Sequence, residues 1–408
     1  MSSKINRIPN EILALIFATS PRDLSPDAHQ PLLALICSIC RHWRDVAIEA
    51  SELWTTVHIP LGRHLPAAQA FLEKSKGCLI DVYIRAVDTD FFINVRDAAT
   101  RITAVIAPHI PRVRTLVMVL GEPAFYAYRS ISATNFVSLS IHFDRFSKVG
   151  THTPLFANAN SLCHVVTQGN FLHDVVALRT SLTILELSEY APTHIELQDL
   201  FNSSPYLERL ILRDFDEDEM GFPIEHNAAP IIITAPTTLK SLAVSLYWHT
   251  HTNDSATSCD CVLGSLRTPN LEYLEVVKTA DFVEIDLKVH FGQLDKLRTL
   301  RIQHCSLSLT AEEFFLSLKE LKRLELMDMF DIQHIAGPTS SSFPFPRLSS
   351  VFTTGRYTDI VYLLQLAKHC VTAGCPRFTL EVDAGCPGEI FEAIKSSIQD
   401  ERSLHNQE

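Results

Sequence analysis

The sequence predicts an α/β protein in which a short N-terminal helical module precedes an irregular solenoid of stacked strand–helix repeats. Three observations predict it. The first 54 residues carry apolar side chains at helical spacing. From about residue 110 onward a six-residue core, apolar-x-x-apolar-x-apolar, recurs at intervals of 20 to 32 residues. A chain of 408 residues, 46% apolar and 20% charged, is folded but too long for one ordinary core.

The helical module comes first. Pro9 is placed at the first helical position, where its missing N–H would be unpaired anyway. Ile8, Ile12, Leu13, Ile16 and Phe17 then form a wide apolar stripe. A proline-bounded loop from Pro21 to Asp27 precedes a second helix, expected from about Pro31 to about Ala50. Leu32, Leu35, Ile36, Ile39, Cys40, Trp43, Val46 and Ala47 share one of its sides, and Leu53-Trp54 close the module. A helical segment of about 50 residues is near the lower limit for an independent core. Part of this apolar surface is therefore expected to face a partner. The other reading of the same residues is a helical cap on the repeats.

Ile8-Pro9-x-Glu11-Ile12-Leu13-x-x-Ile16-Phe17, Cys40-Arg41-x-Trp43-Arg44-x-x-Ala47 and Leu53-Trp54 together resemble the F-box, over residues 5 to 59. With its long first loop and terminal Leu-Trp, the chain is similar to F-box-like proteins abundant in mushroom-forming fungi. It departs from the family at Ile8, where Leu is more usual, and in the length of the Pro21 to Pro31 stretch. The resemblance implies that Ile8, Pro9, Ile12, Leu13, Ile16, Phe17, Leu35, Trp43 and Trp54 bind a Skp-type adaptor, and through it a cullin. It implies a substrate-recognition subunit of an SCF-type cullin–RING ubiquitin ligase, with ubiquitin transfer left to other subunits. A leucine-rich-repeat interaction scaffold with no ligase link is the alternative.

Four segments are expected: the module over 1–59, a linker and atypical first repeat over 60–111, the repeats over 112–398 and a polar tail over 399–408. In the linker, Leu65 to Lys76 reads as a helix carrying Ala68, Phe71 and Leu72. Leu79 to Ile84 reads as a strand, and Asn94 to Ile110 as a helix with Ala98, Ile102, Val105 and Ile106.

Strong copies of the repeat core begin at Leu182, Leu207, Leu239, Leu271, Leu297 and Leu321, with weaker ones at Val113, Phe136, Leu162 and Leu348. The alternating part of each core is a strand with one face inward. Helices at Glu196 to Ser204, Ala311 to Leu321 and Asp359 to Val371 would carry the chain back. A period of about 25 residues with this core resembles the leucine-rich repeat. The Asn or Cys that follows the strand in that family is missing from most copies, and His304-Cys305 is the nearest match. Uneven curvature is therefore expected, with Gly388 to Ser397 capping the far end. A doubly wound α/β fold would show the same strand–helix alternation.

The net charge of −12 opposes broad nucleic-acid binding, and Arg112-Val113-Arg114 reads as a solvated face. No export signal and no membrane span are expected, which places the protein in the cytoplasm or nucleus. The ten cysteines lack short disulfide spacing and fit free thiols. No Gly-x-Ser-x-Gly, phosphate loop or G-x-G-x-x-G occurs, so neither an enzyme nor a cofactor is expected. Cys37-x-x-Cys40 reads as two buried helix thiols. His249, His251, Cys259 and Cys261 have ligand chemistry, but their spacing is not that of a common structural zinc site. They read as part of a polar loop insertion, and no metal is expected. The acidic run around Asp216 and Glu217 could attract a basic substrate segment or simply solubilise a loop. Tyr247 and Trp248 could anchor a substrate or cap the core.

Overall fold

In the computed structural model, parallel strands and short helices follow one another from the N-terminal helices onward. It describes residues 8–19, 26–60, 65–85, 95–119, 131–142, 156–168, 181–190, 192–216, 232–248, 262–278, 284–285, 287–307, 311–329, 335, 345–354, 360–372, 379–382 and 396. Two compact units divide the chain, residues 1–182 and 183–408.

The first unit opens with helices α1 (Asn10–Thr19), α2 (Pro26–Ile39) and α3 (Arg41–Glu49) and a 3-10 turn at Ser51–Trp54. Strand β1 (Thr56–Pro60), helix α4 (Leu65–Lys74), strand β2 (Ile80–Arg85) and helix α5 (Val95–Ile106) follow. Strands β3 (Val113–Val119), β5 (Ser138–His142) and β7 (His164–Gln168) complete a ladder in the order β1-β2-β3-β5-β7, and the two-residue strands β4 (Ile131–Ser132) and β6 (Phe156–Ala157) pair separately. Where their registers are described, the neighbours in the ladder run parallel.

The second unit repeats the plan. Its main ladder runs β8 (Ile184–Ser188), β9 (Arg209–Asp216), β11 (Ser241–Trp248), β13 (Tyr273–Lys278), β15 (Thr299–Gln303), β17 (Arg323–Met327), β18 (Ser350–Thr354) and β19 (Thr379–Val382). The two-residue strands β10 (Ile233–Thr234) with β12 (Leu266–Arg267), and β14 (Glu284–Ile285) with β16 (Ser306–Leu307), pair beside it. Helices at His194–Ser203, Ala311–Ser317 and Ile360–Thr372 lie where the sequence places them, to within a few residues at their ends. Thr193 caps the first of these, accepting from the Glu196 N–H while the Glu196 carboxylate accepts from the Thr193 N–H.

The six-residue core is legible in the register. Leu210, Leu242, Leu274, Leu300, Leu324 and Val351 lie opposite one another in neighbouring strands and are fully buried. The leading apolar residue closes a tight turn before eight of the described strands. The N–H groups of Phe136, Leu162, Leu207, Leu239, Leu271, Leu297, Leu321 and Leu348 each donate to the carbonyl three residues back, at 3.0 to 3.3 Å. After three strands the chain turns through a left-handed residue, Glu189, His304 or Asp328, with φ of 55°, 53° and 49°. Each donates its N–H to a carbonyl of the next strand: Glu189 to Arg213 inside β9, His304 and Asp328 to Met327 and Thr354 at the ends of β17 and β18. Cys305, the family-like residue, is fully buried, and burial pushes its thiol up to about 12.

Four expectations change. The second helix starts at Pro26 rather than near Pro31, because His29, Leu33 and Ile36 continue one inward face through the exposed Pro31. It also stops at Ile39 instead of running on to Ala50. Cys40 takes an extended backbone (φ −159°, ψ 167°), and its Sγ accepts from the Trp43 N–H at 3.5 Å, starting α3. The module is followed at once by strand β1, which the sequence did not announce. Of the expected solvated face, Arg114 is exposed and pairs with Asp81, but Arg112 is half-buried among acceptors. The proposed end cap and the 399–408 tail lie outside the described residues, apart from position 396.

Candidate functional site

The site is the surface of α1 and α2. On α1, Leu13 and Phe17 sit four residues apart and point inward, 1% and 3% exposed. Burying two such side chains contributes roughly 1.5–3 kcal/mol each. That choice of face turns Ile12, Leu15 and Ile16 outward. On α2, Leu33 and Ile36 are buried, which turns Leu35 and Ile39 outward. These five large aliphatic side chains are 45 to 59% exposed. Soluble surfaces carry single exposed aliphatics routinely; five on two short helices that both pack on α3 make this the candidate interaction surface.

Helix α3 and the 3-10 turn hold α1 and α2 in place. The Phe17 ring packs on Trp43 with centroids 4.9 Å apart. The Arg44 Nε donates to the Cys37 carbonyl at 2.8 Å, tying α3 to the end of α2 across the break at Cys40. Trp54, 5% exposed, packs on Phe71 of α4 at 4.8 Å, and Lys74 places its Nζ 4.0 Å above the Trp54 ring. Gln30 of α2 donates to the His58 carbonyl of β1 at 3.3 Å. At this seam His29 is buried, and its pKa is lowered first by desolvation and then by His58.

The nine residues implied as adaptor-binding therefore divide. Ile12, Ile16 and Leu35 are exposed, Pro9 is exposed at the helix entrance, and Ile8 and Trp43 are half-buried. Leu13, Phe17 and Trp54 are buried within their own chain, Phe17 against Trp43 and Trp54 against Phe71 of α4. Their side chains are not on the exposed surface, whereas Leu15 and Ile39, which are not among the nine, are. A wide apolar stripe leaves open which of its edges is inward, and only the packing of α3 decides it.

Among the described residues, the others singled out in the sequence are not assembled into a site. Tyr247, Trp248 and Asp216 end their strands, with Trp248 opposite Asp216 after two register shifts. Glu217, His249, His251, Cys259 and Cys261 lie outside the described residues. Among the described residues no group of three or more His, Cys, Asp or Glu could hold a metal ion. Cys37 and Cys40 are half-buried free thiols, one on a helix and one capping the next.

One polar array went unnoticed in the sequence. On the solvent side of the second unit's sheet, the Tyr273 hydroxyl donates to Glu275 at 2.8 Å, and burial with this bond raises the Tyr273 pKa. Arg301 stands 3.8 Å from both Glu275 and Glu325. Sequence spacing hides this array, since its members come from different repeats.

Residues 5–60 match the family model described as F-box-like, which spans the three helices, the 3-10 turn and strand β1. No curated protein matches the chain. Among the described residues no helix is long and apolar enough to cross a membrane.

Proposed function

We propose that, with an F-box-like domain at its N-terminus, this protein is the substrate-recognition subunit of an SCF-type cullin–RING ubiquitin ligase. One observation carries the reading. The F-box-like segment coincides with the module whose α1 and α2 leave Ile12, Leu15, Ile16, Leu35 and Ile39 exposed. Isolated, that surface costs solvation; against an apolar adaptor groove it is buried and contributes binding energy.

The remaining sheet is read as an irregular leucine-rich-repeat solenoid. The in-register columns and recurrent turns support this, and a stack of repeats offers a long surface to a protein substrate. The chain itself makes and breaks no bonds. Holding the substrate beside the transferring subunits raises the effective concentration of its lysines.

The test is co-purification with a Skp-type adaptor, comparing wild type with Ile12→Asp plus Leu35→Asp. Both residues are exposed, so the fold should survive. A stable wild-type complex that the double variant loses, at unchanged circular dichroism, supports the proposal. A folded wild type that captures no adaptor refutes it and leaves a repeat scaffold with a helical cap.

A further inference from the structure

We infer that the solvent side of the second unit's sheet, around Phe352, holds a basic side chain, lysine or arginine, of the partner protein. This deepens the proposed function and rests on its second half, that the repeats hold a protein substrate.

Register places Glu275, Arg301, Glu325, Phe352 and Glu381 opposite one another in a single row across five parallel strands. Leu274, Leu300, Leu324 and Val351, one position earlier in their strands, are fully buried. Side chains alternate across a strand, so the row faces solvent. It carries three carboxylates. Two guanidiniums face them: Arg301 within the row and Arg323, two positions before Glu325 on the same strand face.

These charges are not evenly satisfied. Arg323 donates through Nε to Glu325 at 2.6 Å, and its Nη2 stands 3.8 Å from Glu381. Because β17 and β19 flank β18, that contact spans the strand carrying Phe352. Arg301 is shared between Glu275 and Glu325 at 3.8 Å from each. Among the described residues of the row and its facing guanidiniums, one negative charge is left over. It falls at the Glu381 end, where the carboxylate side chain is 52% exposed.

Phe352 therefore stands between Glu325 and Glu381, whose strands are about 10 Å apart at two strand spacings. An aromatic ring flanked by carboxylates, with net negative charge, is complementary to a cation. The ring face attracts it through the quadrupole and Glu381 through charge. An acidic segment would meet repulsion here, and an apolar one would desolvate carboxylates without pairing them.

The experiment uses the full chain without any adaptor, so its result is independent of whether the N-terminal module docks. Binding of fluorescent hexa-arginine and hexa-glutamate peptides is followed by anisotropy. Hexa-arginine is expected to bind. Glu381→Gln, and Phe352→Leu, which keeps bulk but removes the ring, should each weaken it at least about fivefold. Glu313→Gln, on the helix Ala311–Ser317 where it pairs with Lys288, should change nothing. The inference falls if Glu381→Gln has no effect, if Glu313→Gln weakens binding equally, or if hexa-glutamate binds more tightly. Equal weakening would mean only general attraction to an acidic protein.

Discussion

The indole N–H of Trp54 donates to the carbonyl of Ala47 at 2.7 Å, inside the first unit and away from solvent. The Leu-Trp pair that ends the helical module thus locks α3 onto α4 and does not reach outward. Trp54→Ala should destabilise the protein by about 3–5 kcal/mol, the cost of emptying a large buried site. Trp54→Phe keeps most of the volume and strands one carbonyl, at about 1–2 kcal/mol. Urea denaturation measures both. Abolished adaptor binding by Trp54→Phe at unchanged stability would contradict the interior role.

Leu13 and Leu15 lie two residues apart on α1 and face opposite ways. Leu13→Ala is expected to cost about 2–5 kcal/mol and Leu15→Ala within about 0.5 kcal/mol. The effects on adaptor capture should be reversed once folded protein is compared. Equal stability losses would show that α1 is rotated from the orientation described.

Arg112 donates to the Leu72 carbonyl at 2.6 Å, to the Cys78 carbonyl at 3.1 Å and to Ser75 Oγ at 2.8 Å, closing the end of α4 over the start of β3. A lysine cannot span these acceptors, since it lacks the planar fork. Arg112→Lys should therefore cost about 1–3 kcal/mol. Hydrogen exchange should quicken across residues 72–78 and stay unchanged in the second unit. Wild-type protection in that segment would show that the fork is dispensable.

Histidine chemistry predicts acid sensitivity of the first unit. His29 is buried, its Nδ1 has no hydrogen-bond partner among the described residues, and desolvation and then His58 hold its pKa below the ordinary 6.5. The unfolded chain then binds the proton more readily than the folded one. His29 thus lowers stability progressively as pH falls from about 6.5 toward its depressed folded value, and leaves stability undiminished above that range. Urea midpoints between about pH 7 and pH 5 should decline, and His29→Gln should flatten part of that decline. An identical slope in the variant would remove His29 from the account.

Much of this was legible along the chain. The leucine columns could be read because each inward side chain recurs at a fixed offset from its turn, and the register keeps those offsets aligned from Leu210 to Val351. The break at Cys40 was not legible. Apolar spacing runs through it, and a thiol capping an N–H gives a weaker sequence signal than Ser or Asp. Strand β1 was hidden as well, since Thr56–Pro60 carries no leucine core and is stabilised by pairing with β2.

The sequence by itself determined the phase of the strands, the existence of a helical N-terminal module and its F-box likeness, because these depend on periods and local spacing. Only the tertiary structure decided that Leu13, Phe17 and Trp54 turn inward while Ile12, Leu15, Ile16, Leu35 and Ile39 stay exposed. It alone placed Arg112 in a clamp and assembled Glu275, Arg301, Glu325, Phe352 and Glu381 into one row. The physical reason is that burial and charge pairing depend on which elements pack together, and those elements are distant in the chain.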